Sequence, residues 1–337
     1  MKALFIGGTG TISLSISKKL LELGWELYIL NRGNRKHDLD GKNLHLIHGD
    51  INDEEQIYER IKDLTFDVVC DFIAFVPEHV QRDVRLFKER TRQYIFISSA
   101  SAYQKPLSDY RITEGTPLSN PKWQYSRDKI ACEEYLMTQY RESGFPVTIV
   151  RPSHTYDARS IPLGVHGDNG GWSVVQRILD EKPVIIHGDG TSLWTMTHSR
   201  DFAKGFIGLM SNIHAIGEAV QITSDESLTW NQIYQSIANA CDRPLYAVHV
   251  ASEFLDATSS YDFNGGLLGD KANTVVFDNA KLKRLVPEFV ATTRFDQGIR
   301  ESIDYHLSHE DMQKIDPEFD QWCDRVIEVI EQAKKSF

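Results

Sequence analysis

The strongest constraint on the fold is a glycine-rich turn that follows the first apolar run directly. Residues 3–6 are apolar, Gly7-Gly8-Thr9-Gly10 comes next, and apolar residues then recur at helical spacing over 12–23. Such a turn needs glycine for a bend with positive φ and for close approach of the backbone to a pyrophosphate at the next helix N-terminus. The predicted dinucleotide-binding residues of this turn are Gly7, Gly10, Thr11 and Ile12.

Ser13 stands where a third glycine usually allows the helix to pack closely on the strand. Serine is small, so we expect a slight displacement of the helix with binding retained. A glycine-rich loop without any ligand is the alternative interpretation.

Short apolar runs alternate with segments of helical periodicity as far as residue 150. The runs occupy 26–30, 44–48, 68–72, 94–97 and 147–150, and helical patterns lie at 54–61, 78–88 and 125–140. This alternation is typical of a parallel sheet with right-handed crossovers and helices on both faces. We therefore predict an α/β fold with a doubly wound Rossmann sheet, whose ligands bind outside the carboxyl ends of the strands.

The character of the chain changes after Arg151-Pro152. We predict a dinucleotide-binding Rossmann domain over residues 1–155 and a smaller α/β substrate-binding domain over 156–337, some of whose elements return to pack on the first. The second part is expected to contain an irregular loop over 157–172, a helix over 172–179, a hairpin around 188–190, an irregular stretch over 257–271 and an acidic helix over 316–335.

The chain is acidic, with 37 Lys and Arg against 48 Asp and Glu and a formal net charge of −11. An acidic surface repels phosphate backbones, so nucleic acid is an unexpected main partner. No apolar stretch approaches the ~18 residues of a membrane span. The four cysteines are far apart, and His306 and His309 lack a third ligand, so we expect free thiols and no metal site. These features together predict a cytoplasmic protein.

The end of the second apolar run bears on which dinucleotide binds. NAD sites usually carry an acid there for the ribose 2′-hydroxyl, whereas NADP sites carry a cation for the 2′-phosphate. Here the second apolar run is followed by Asn31 and Arg32 and by no acid. Arg35 and Lys36 are two further cations that could bind the 2′-phosphate. The sequence therefore favours NADP over NAD, although a solvated basic loop would have the same composition.

Tyr125 and Lys129 lie four residues apart, on one face of a predicted helix. A lysine ammonium one turn away stabilises a phenolate, so the tyrosine can exchange a proton with a substrate oxygen while nicotinamide exchanges hydride. The spacing also occurs by chance on surface helices. The apolar run 94–97 ends in serines, however, and a serine at the carboxyl end of a strand can share the hydrogen bond to the reacting oxygen.

The glycine turn, the Ser-Ser-Ala-Ser-Ala-Tyr segment at 98–103, Tyr125-x-x-x-Lys129 and Arg151-Pro152 resemble the NAD-dependent epimerase/dehydratase family of the extended short-chain dehydrogenases/reductases. The resemblance implies a Rossmann domain that binds the cofactor and a smaller domain that closes over a substrate, commonly a nucleotide sugar. It implies the catalytic residues Ser99, Tyr125 and Lys129, with Lys129 holding the nicotinamide ribose and lowering the pKa of Tyr125. It implies cofactor contacts from Asn31, Arg32, Asp50, Ile51, Phe72, Ile73, Ala74, Ser98, Tyr125, Lys129, Pro152 and His154.

Two departures from the family pattern bear on the reaction. Ser99 is followed by Ala100-Ser101, where the dehydratases carry an Asp-Glu pair, so epimerisation or carbonyl reduction ranks above 4,6-dehydration. Trp194 stands where sugar-nucleotide enzymes typically carry an arginine that binds the diphosphate. A neutral indole cannot replace the two parallel hydrogen bonds of a guanidinium group. The substrate therefore either lacks a nucleotide diphosphate or has its diphosphate bound by a cation from elsewhere in the chain. We expect Ser101 and Trp194 to contact this substrate. The two candidate cations are Arg159 and Arg177.

The Trp194 variant and the turn at Asn31 also resemble a divergent branch of the family that includes plastid stem-loop RNA-binding proteins. A non-catalytic RNA-binding or scaffold protein is therefore the alternative to an oxidoreductase or epimerase that acts on a carbinol or carbonyl of a sugar or nucleotide sugar. The acidic charge and the intact Tyr125 and Lys129 pair favour the enzyme. A homodimer formed through the helices at 78–88 and 125–140, as is common in the family, is the expected assembly.

Overall fold

The computed structural model describes residues 1–34 and 37–337, so the further cations Arg35 and Lys36 lie outside the described residues. In chain order the strands are β1 (Lys2–Ile6), β2 (Glu26–Asn31), β3 (Leu44–His48), β4 (Val68–Asp71), β5 (Tyr94–Ile97), β6 (Arg111–Ile112), β7 (Val147–Pro152), β8 (His154–Tyr156), β9 (Val184–His187), β10 (Leu193–Trp194), β11 (Met196–His198), β12 (Ala219–Ile222), β13 (Leu228–Thr229), β14 (Ala247–Val250) and β15 (Val276–Phe277). The helices are α1 (Thr11–Glu22), α2 (Glu54–Ile61), α3 (Pro77–Phe87), α4 (Gln124–Ser143), α5 (Trp172–Leu179), α6 (Ser199–Leu209), α7 (Trp230–Ala240), α8 (Ser252–Thr258), α9 (Ala280–Leu285), α10 (Phe295–Ser308) and α11 (Pro317–Lys335). None of the helices in these ranges combines the length and the apolar character that crossing a membrane requires.

Within the described ranges, seven strands form one parallel sheet in the order β12-β7-β5-β4-β1-β2-β3. The connections from β1 and from β4 lead away in opposite directions, so these two neighbouring strands leave a crevice at their carboxyl ends. Gly7 follows β1 and Phe72 follows β4 at this edge. The predicted α/β fold with a doubly wound sheet is confirmed.

Helices cover both faces of this sheet because each presents one apolar side to it. On one face, α1 and α6 contribute Ile16 and Phe206 to the core. On the other face, α3 and α4 contribute Val80 and Leu136. A further core lies in the C-terminal half of the chain and includes Trp172, Trp194, Trp230, Phe295 and Phe319.

The elements expected beyond residue 156 are confirmed in part. The helix at 172–179 forms, and Asp316 caps the C-terminal helix by accepting a hydrogen bond from the N–H of Phe319 at 3.1 Å. The hairpin around 188–190 is wrong, because β9 pairs with β14 and β10 pairs with β13 within the described residues. The irregular stretch at 257–271 is wrong in its second half, since Asn264–Lys271 forms a π-helical segment that buries Leu267.

Candidate active site

The glycine turn between β1 and α1 forms one wall of a cleft. Gly7 and Gly8 have φ angles of +107° and +82°, and a Cβ on Gly8 would lie 3.0 Å from Cγ2 of Ile29. The hydroxyl of Ser13 is buried and accepts a hydrogen bond from the Gly10 N–H at 2.9 Å, so this serine ties the turn to the helix. Bare backbone beside a helix N-terminus fits the pyrophosphate of a dinucleotide.

The cleft has a volume of about 530 Å³ and follows the carboxyl ends of β1, β2 and β4. Eight predicted cofactor residues do not line it. Tyr125, Pro152 and His154 line a second pocket, and Lys129 is buried. The other four are Thr11, Ile12, Ala74 and Ser98. Thr11 and Ile12 begin α1, where Ile12 packs on the core, and Ala74 and Ser98 are buried. The predicted residues that do line it are Gly7, Gly10, Asn31, Arg32, Asp50, Ile51, Phe72 and Ile73.

A buried charge cluster beneath the cleft was missed by sequence reasoning. Asp71, at the end of β4, accepts hydrogen bonds from the N–H groups of Ile73 and Ala74 at 2.6 and 2.8 Å. Arg82 of α3 lines the cleft and donates to Asp71 at 3.3 Å. Burial, with the carboxyl of Asp83 nearby, raises the pKa of Asp71 well above its ordinary value. The cluster fixes the segment after β4, and a carboxyl at the end of an apolar run was its sequence signal.

Ser99, Tyr125 and Lys129 come together at the carboxyl end of β5. Ser99 and Tyr125 line a second pocket. Lys129 lies one turn along α4 from Tyr125, with its Nζ 5.7 Å from the centre of the tyrosine ring. This Nζ donates to the carbonyl oxygens of Ala74 and Ile97 at 2.6 and 2.7 Å. Lys129 therefore joins the segments that follow β4 and β5.

Burial dominates the electrostatics of these three residues. It lowers the pKa of Lys129 to about 8. It also raises the pKa of Tyr125, and the neighbouring Ser99 hydroxyl opposes that rise. The expectation that Lys129 lowers the pKa of Tyr125 is not met, because burial raises this pKa and the group that opposes the rise is the Ser99 hydroxyl. A phenol of raised pKa is suited to donate a proton to a substrate oxygen.

A chain of hydroxyl groups runs from Ser99 into the protein. Ser99 and Ser101 share a hydrogen bond of 2.8 Å, and Ser126 donates to Ser101 at 2.8 Å. The side-chain amide of Asn120 donates to Ser126 at 3.3 Å. Because Ser101 accepts from Ser126, its own proton is available for the hydrogen bond to Ser99. In that arrangement the Ser99 proton remains available to a group in the pocket. Sequence reasoning found Ser99 and Ser101 but missed the two groups behind them.

Ser98 belongs to a buried ion pair. Its hydroxyl donates to Glu133, which also accepts a hydrogen bond from Nε of Arg151 at 2.9 Å. The side chains of Arg151 and Glu133 are 5% and 4% exposed. This pair anchors the end of β5 immediately before Ser99.

Pro152, His154 and Trp194 line the second pocket rather than the cleft. The indole N–H of Trp194 donates to Nδ1 of His154 at 3.3 Å, which leaves Nε2 as the protonated nitrogen. Burial lowers the pKa of His154 well below its ordinary value, so the ring is neutral at pH 7. His154 is therefore a neutral hydrogen-bond donor in the pocket wall.

Three charged side chains in the second pocket were missed by sequence reasoning. Lys105 follows the serine segment, and Asp270 and Lys271 belong to the π-helical segment. Burial lowers the pKa of Lys105 and raises the pKa of Asp270, and the opposite charge of the other residue counteracts each shift. Asp270 therefore brings a carboxyl group to the pocket from a distant part of the chain.

In the part of the chain that the structure describes, the second pocket has no arginine, and no cluster of three or more potential metal ligands exists. Arg177 is buried and pairs with Asp320 and Asp324 of α11. Arg159 pairs with Asp157 at 2.6 Å and lines a separate groove beside α1 and α6. The expectation that either arginine supplies the pocket with a cation is therefore wrong.

Comparisons with known proteins show which family the chain matches. A profile of the NAD dependent epimerase/dehydratase family matches residues 3–223. A 2'-dehydrokanamycin reductase of Streptomyces kanamyceticus is 26% identical over 205 residues, which make up 58% of this chain and 54% of the reductase. The chloroplast stem-loop binding protein of 41 kDa b of Arabidopsis thaliana is 25% identical over 252 residues, 71% of this chain and 63% of that protein. The matches span less than two thirds of the length of both relatives.

Among solved structures, the epimerase Mth375 of Methanothermobacter thermautotrophicus has a TM-score of 0.75. The two proteins are 16% identical, and the match covers 93% of this chain and 94% of that chain. This likeness shows a shared fold over nearly the whole chain.

Proposed function

Because the chain belongs to the NAD-dependent epimerase/dehydratase family, we propose that it is a nicotinamide-dependent reductase or epimerase that acts on a carbinol or carbonyl of a sugar. The observation that carries the proposal is the meeting of Ser99 and Tyr125 in a pocket beside the glycine cleft. Phe75 lines the cleft, and its ring lies 6.4 Å from the ring of Tyr125, so the two cavities adjoin at these groups. We rank 4,6-dehydration below both reactions, because no acid follows Ser99 in the sequence.

In this proposal the bound cofactor supplies or accepts the hydride. Tyr125 transfers a proton to or from the substrate oxygen, and Ser99 donates a second hydrogen bond to the same oxygen. Lys129 keeps a positive charge beside the phenol below about pH 8. An epimerase retains its cofactor through a turnover, whereas a reductase exchanges it. Native mass spectrometry of the protein as purified distinguishes the two reactions, since a retained dinucleotide favours epimerisation.

We propose NADP as the preferred cofactor. Arg32 is exposed on the cleft wall directly after β2. The side chain of Asn31 is engaged, since it accepts a hydrogen bond from the N–H of Gly33 at 2.9 Å. A guanidinium in this place suits a 2′-phosphate. Fluorescence titration with both cofactors tests the preference: Arg32→Gln should weaken NADP binding and leave NAD binding unchanged, and tighter binding of NAD to the unsubstituted protein would refute the proposal.

The experiment that tests the reaction is the substitution Tyr125→Phe. It should lower kcat by about 10²–10⁴-fold, the usual contribution of general acid–base catalysis, and leave cofactor affinity nearly unchanged. The matched control is Tyr110→Phe, at a tyrosine that is 63% exposed and lies outside both cavities. A panel of free and nucleotide-linked sugars is assayed in two ways. Nicotinamide absorbance follows net oxidation or reduction, and NMR of the sugar products follows epimerisation, which returns the hydride and leaves that absorbance unchanged. Equal turnover of the two variants would refute the role of Tyr125.

RNA binding without catalysis is the second candidate, and the likeness to the chloroplast stem-loop binding protein favours it. The net charge of −11 opposes it, because an RNA-binding surface must neutralise phosphates. Filter binding of a stem-loop RNA at low salt tests this candidate. We expect no retention; retention that falls steeply with salt would favour RNA binding over the enzyme.

A further inference from the structure

Lys105 is the first indication of what the second pocket binds. Its side chain is 4% exposed, it lines the pocket, and within the described residues its Nζ has no hydrogen-bond or ion-pair partner. A buried ammonium without a partner is unfavourable, whereas a ligand group placed against it gains a charge-assisted hydrogen bond. The position therefore suits a ligand better than it suits packing.

Asp270 gives the second indication. Its carboxyl faces the same pocket and, across residues 1–34 and 37–337, accepts no hydrogen bond and forms no ion pair. Lys271 is engaged elsewhere, since its Nζ donates to the carbonyl of Gly266 at 3.0 Å. An anionic ligand would satisfy Lys105 but be repelled by Asp270. A hydroxyl group can accept a hydrogen bond from the ammonium and donate one to the carboxyl, so it satisfies both.

The rest of the pocket matches a single sugar ring. Trp123 and Trp194 supply apolar walls, and Ser101 and His154 supply further hydrogen-bonding groups. The cavity has a volume of about 240 Å³, which is below the roughly 300–1,000 Å³ of pockets that hold drug-sized ligands. A nucleoside diphosphate sugar exceeds that size and would bring a diphosphate to a pocket that contains Asp270.

We propose that Lys105 and Asp270 form a hydroxyl-binding clamp and that the substrate is an uncharged sugar or polyol without a nucleotide diphosphate, an inference that rests on the proposed function. One substrate hydroxyl accepts a hydrogen bond from Nζ of Lys105 and donates to the carboxyl of Asp270. The reacting oxygen of the same ring lies against Ser99 and Tyr125. Lys105 and Asp270 thus select the substrate, and the proton transfer stays with Tyr125.

The test measures binding rather than turnover, in the full chain saturated with NADP or NAD. Saturation-transfer NMR is recorded with D-glucose, D-galactose and myo-inositol as uncharged probes and with D-glucuronate and UDP-glucose as charged probes. We expect the uncharged probes to bind more tightly than the charged ones. Lys105→Met and Asp270→Asn should each weaken binding of the uncharged probes about tenfold or more. Lys122→Met, which removes an exposed lysine outside the pocket, should leave binding unchanged.

Several results would overturn the proposal. Tighter binding of UDP-glucose than of free sugars would show that a nucleotide is recognised, and tighter binding of D-glucuronate, strengthened by Asp270→Asn, would show an anion site. Absence of binding by every uncharged probe, or equal binding by all variants, would also exclude the clamp. Circular dichroism verifies folding, and Lys105→Gln replaces Lys105→Met if the latter unfolds. A negative result alongside cofactor binding and an effect of Tyr125→Phe removes the clamp but leaves the proposed function intact.

Discussion

Replacing Arg151 with methionine should destabilise the protein strongly. Arg151 and Glu133 are 5% and 4% exposed, so the substitution leaves a buried carboxylate whose remaining side-chain donor is the Ser98 hydroxyl. Removing one partner of a buried pair costs about 3–5 kcal/mol, because the other charge stays desolvated. For a chain of 337 residues, that loss corresponds to a fall in Tm of roughly 4–7 °C.

Urea unfolding followed by tryptophan fluorescence measures this loss. The matched control is Arg92→Met, since the Arg92 side chain is 86% exposed and lies 3.5 Å from Asp67; its expected cost is below about 1 kcal/mol. Adding Glu133→Gln to Arg151→Met should restore part of the stability, because a neutral amide needs no counter-charge. Equal losses in the two arginine variants would refute the reasoning from burial.

Three further perturbations test the two cavities. Gly8→Ala should weaken cofactor binding in a fluorescence titration, because its Cβ would lie 3.0 Å from a side chain of β2; Gly24→Ala, at a φ of +77° with open space around it, should leave that affinity unchanged. Ser126→Ala breaks the hydroxyl chain and should lower kcat about 3–10-fold. The control Ser143→Ala, on the same helix, should leave kcat unchanged. Equal kcat values in the two variants would contradict a positioning role for Ser126. The pKa of Lys129 is about 8 in the folded protein and about 10.4 in the unfolded chain. Between about pH 8 and about pH 10.4 the unfolded state therefore binds more protons than the folded state, so the stability of the protein rises with pH in this range. The difference in Tm between wild type and Lys129→Met should therefore shift in favour of the wild type from pH 7 to pH 10, and a difference that is constant with pH would contradict the burial of the ammonium.

Features with a local signal could be predicted from the sequence. The turn at 7–10 is recognised by its glycines, and the helix at 172–179 is recognised by the spacing of its apolar residues. Both signals lie within the segment itself, so neither prediction needs the rest of the chain. The hairpin predicted at 188–190 is wrong because strand pairing depends on distant segments. Gly188 and Gly190 do have φ angles of +61° and +71°, which suit a turn. The strands on either side of them pair with β13 and β14, however, and distant partners of this kind leave no local pattern.

In the candidate site, too, features with a local sequence motif could be predicted, and features that depend on distant segments could not. The motif spacing indicates Ser99, Tyr125 and Lys129, but it does not show which of two adjacent serines reaches the pocket. Successive side chains of an extended segment point to opposite sides, and here Ser98 turns inward to Glu133. Lys105 and Asp270 line one pocket because segments that are distant in the sequence pack together.

The edge strand β12 restricts how this chain can be divided. It is formed by Ala219–Ile222 and pairs with β7 along residues 149–152, although it lies far beyond them in the chain. A fragment that ends at residue 155 would leave the backbone amides and carbonyls of β7 open to pairing with other molecules, which promotes aggregation. The dinucleotide-binding part is therefore not a portable module, and a chimaera that exchanges the C-terminal half must bring a replacement strand with it.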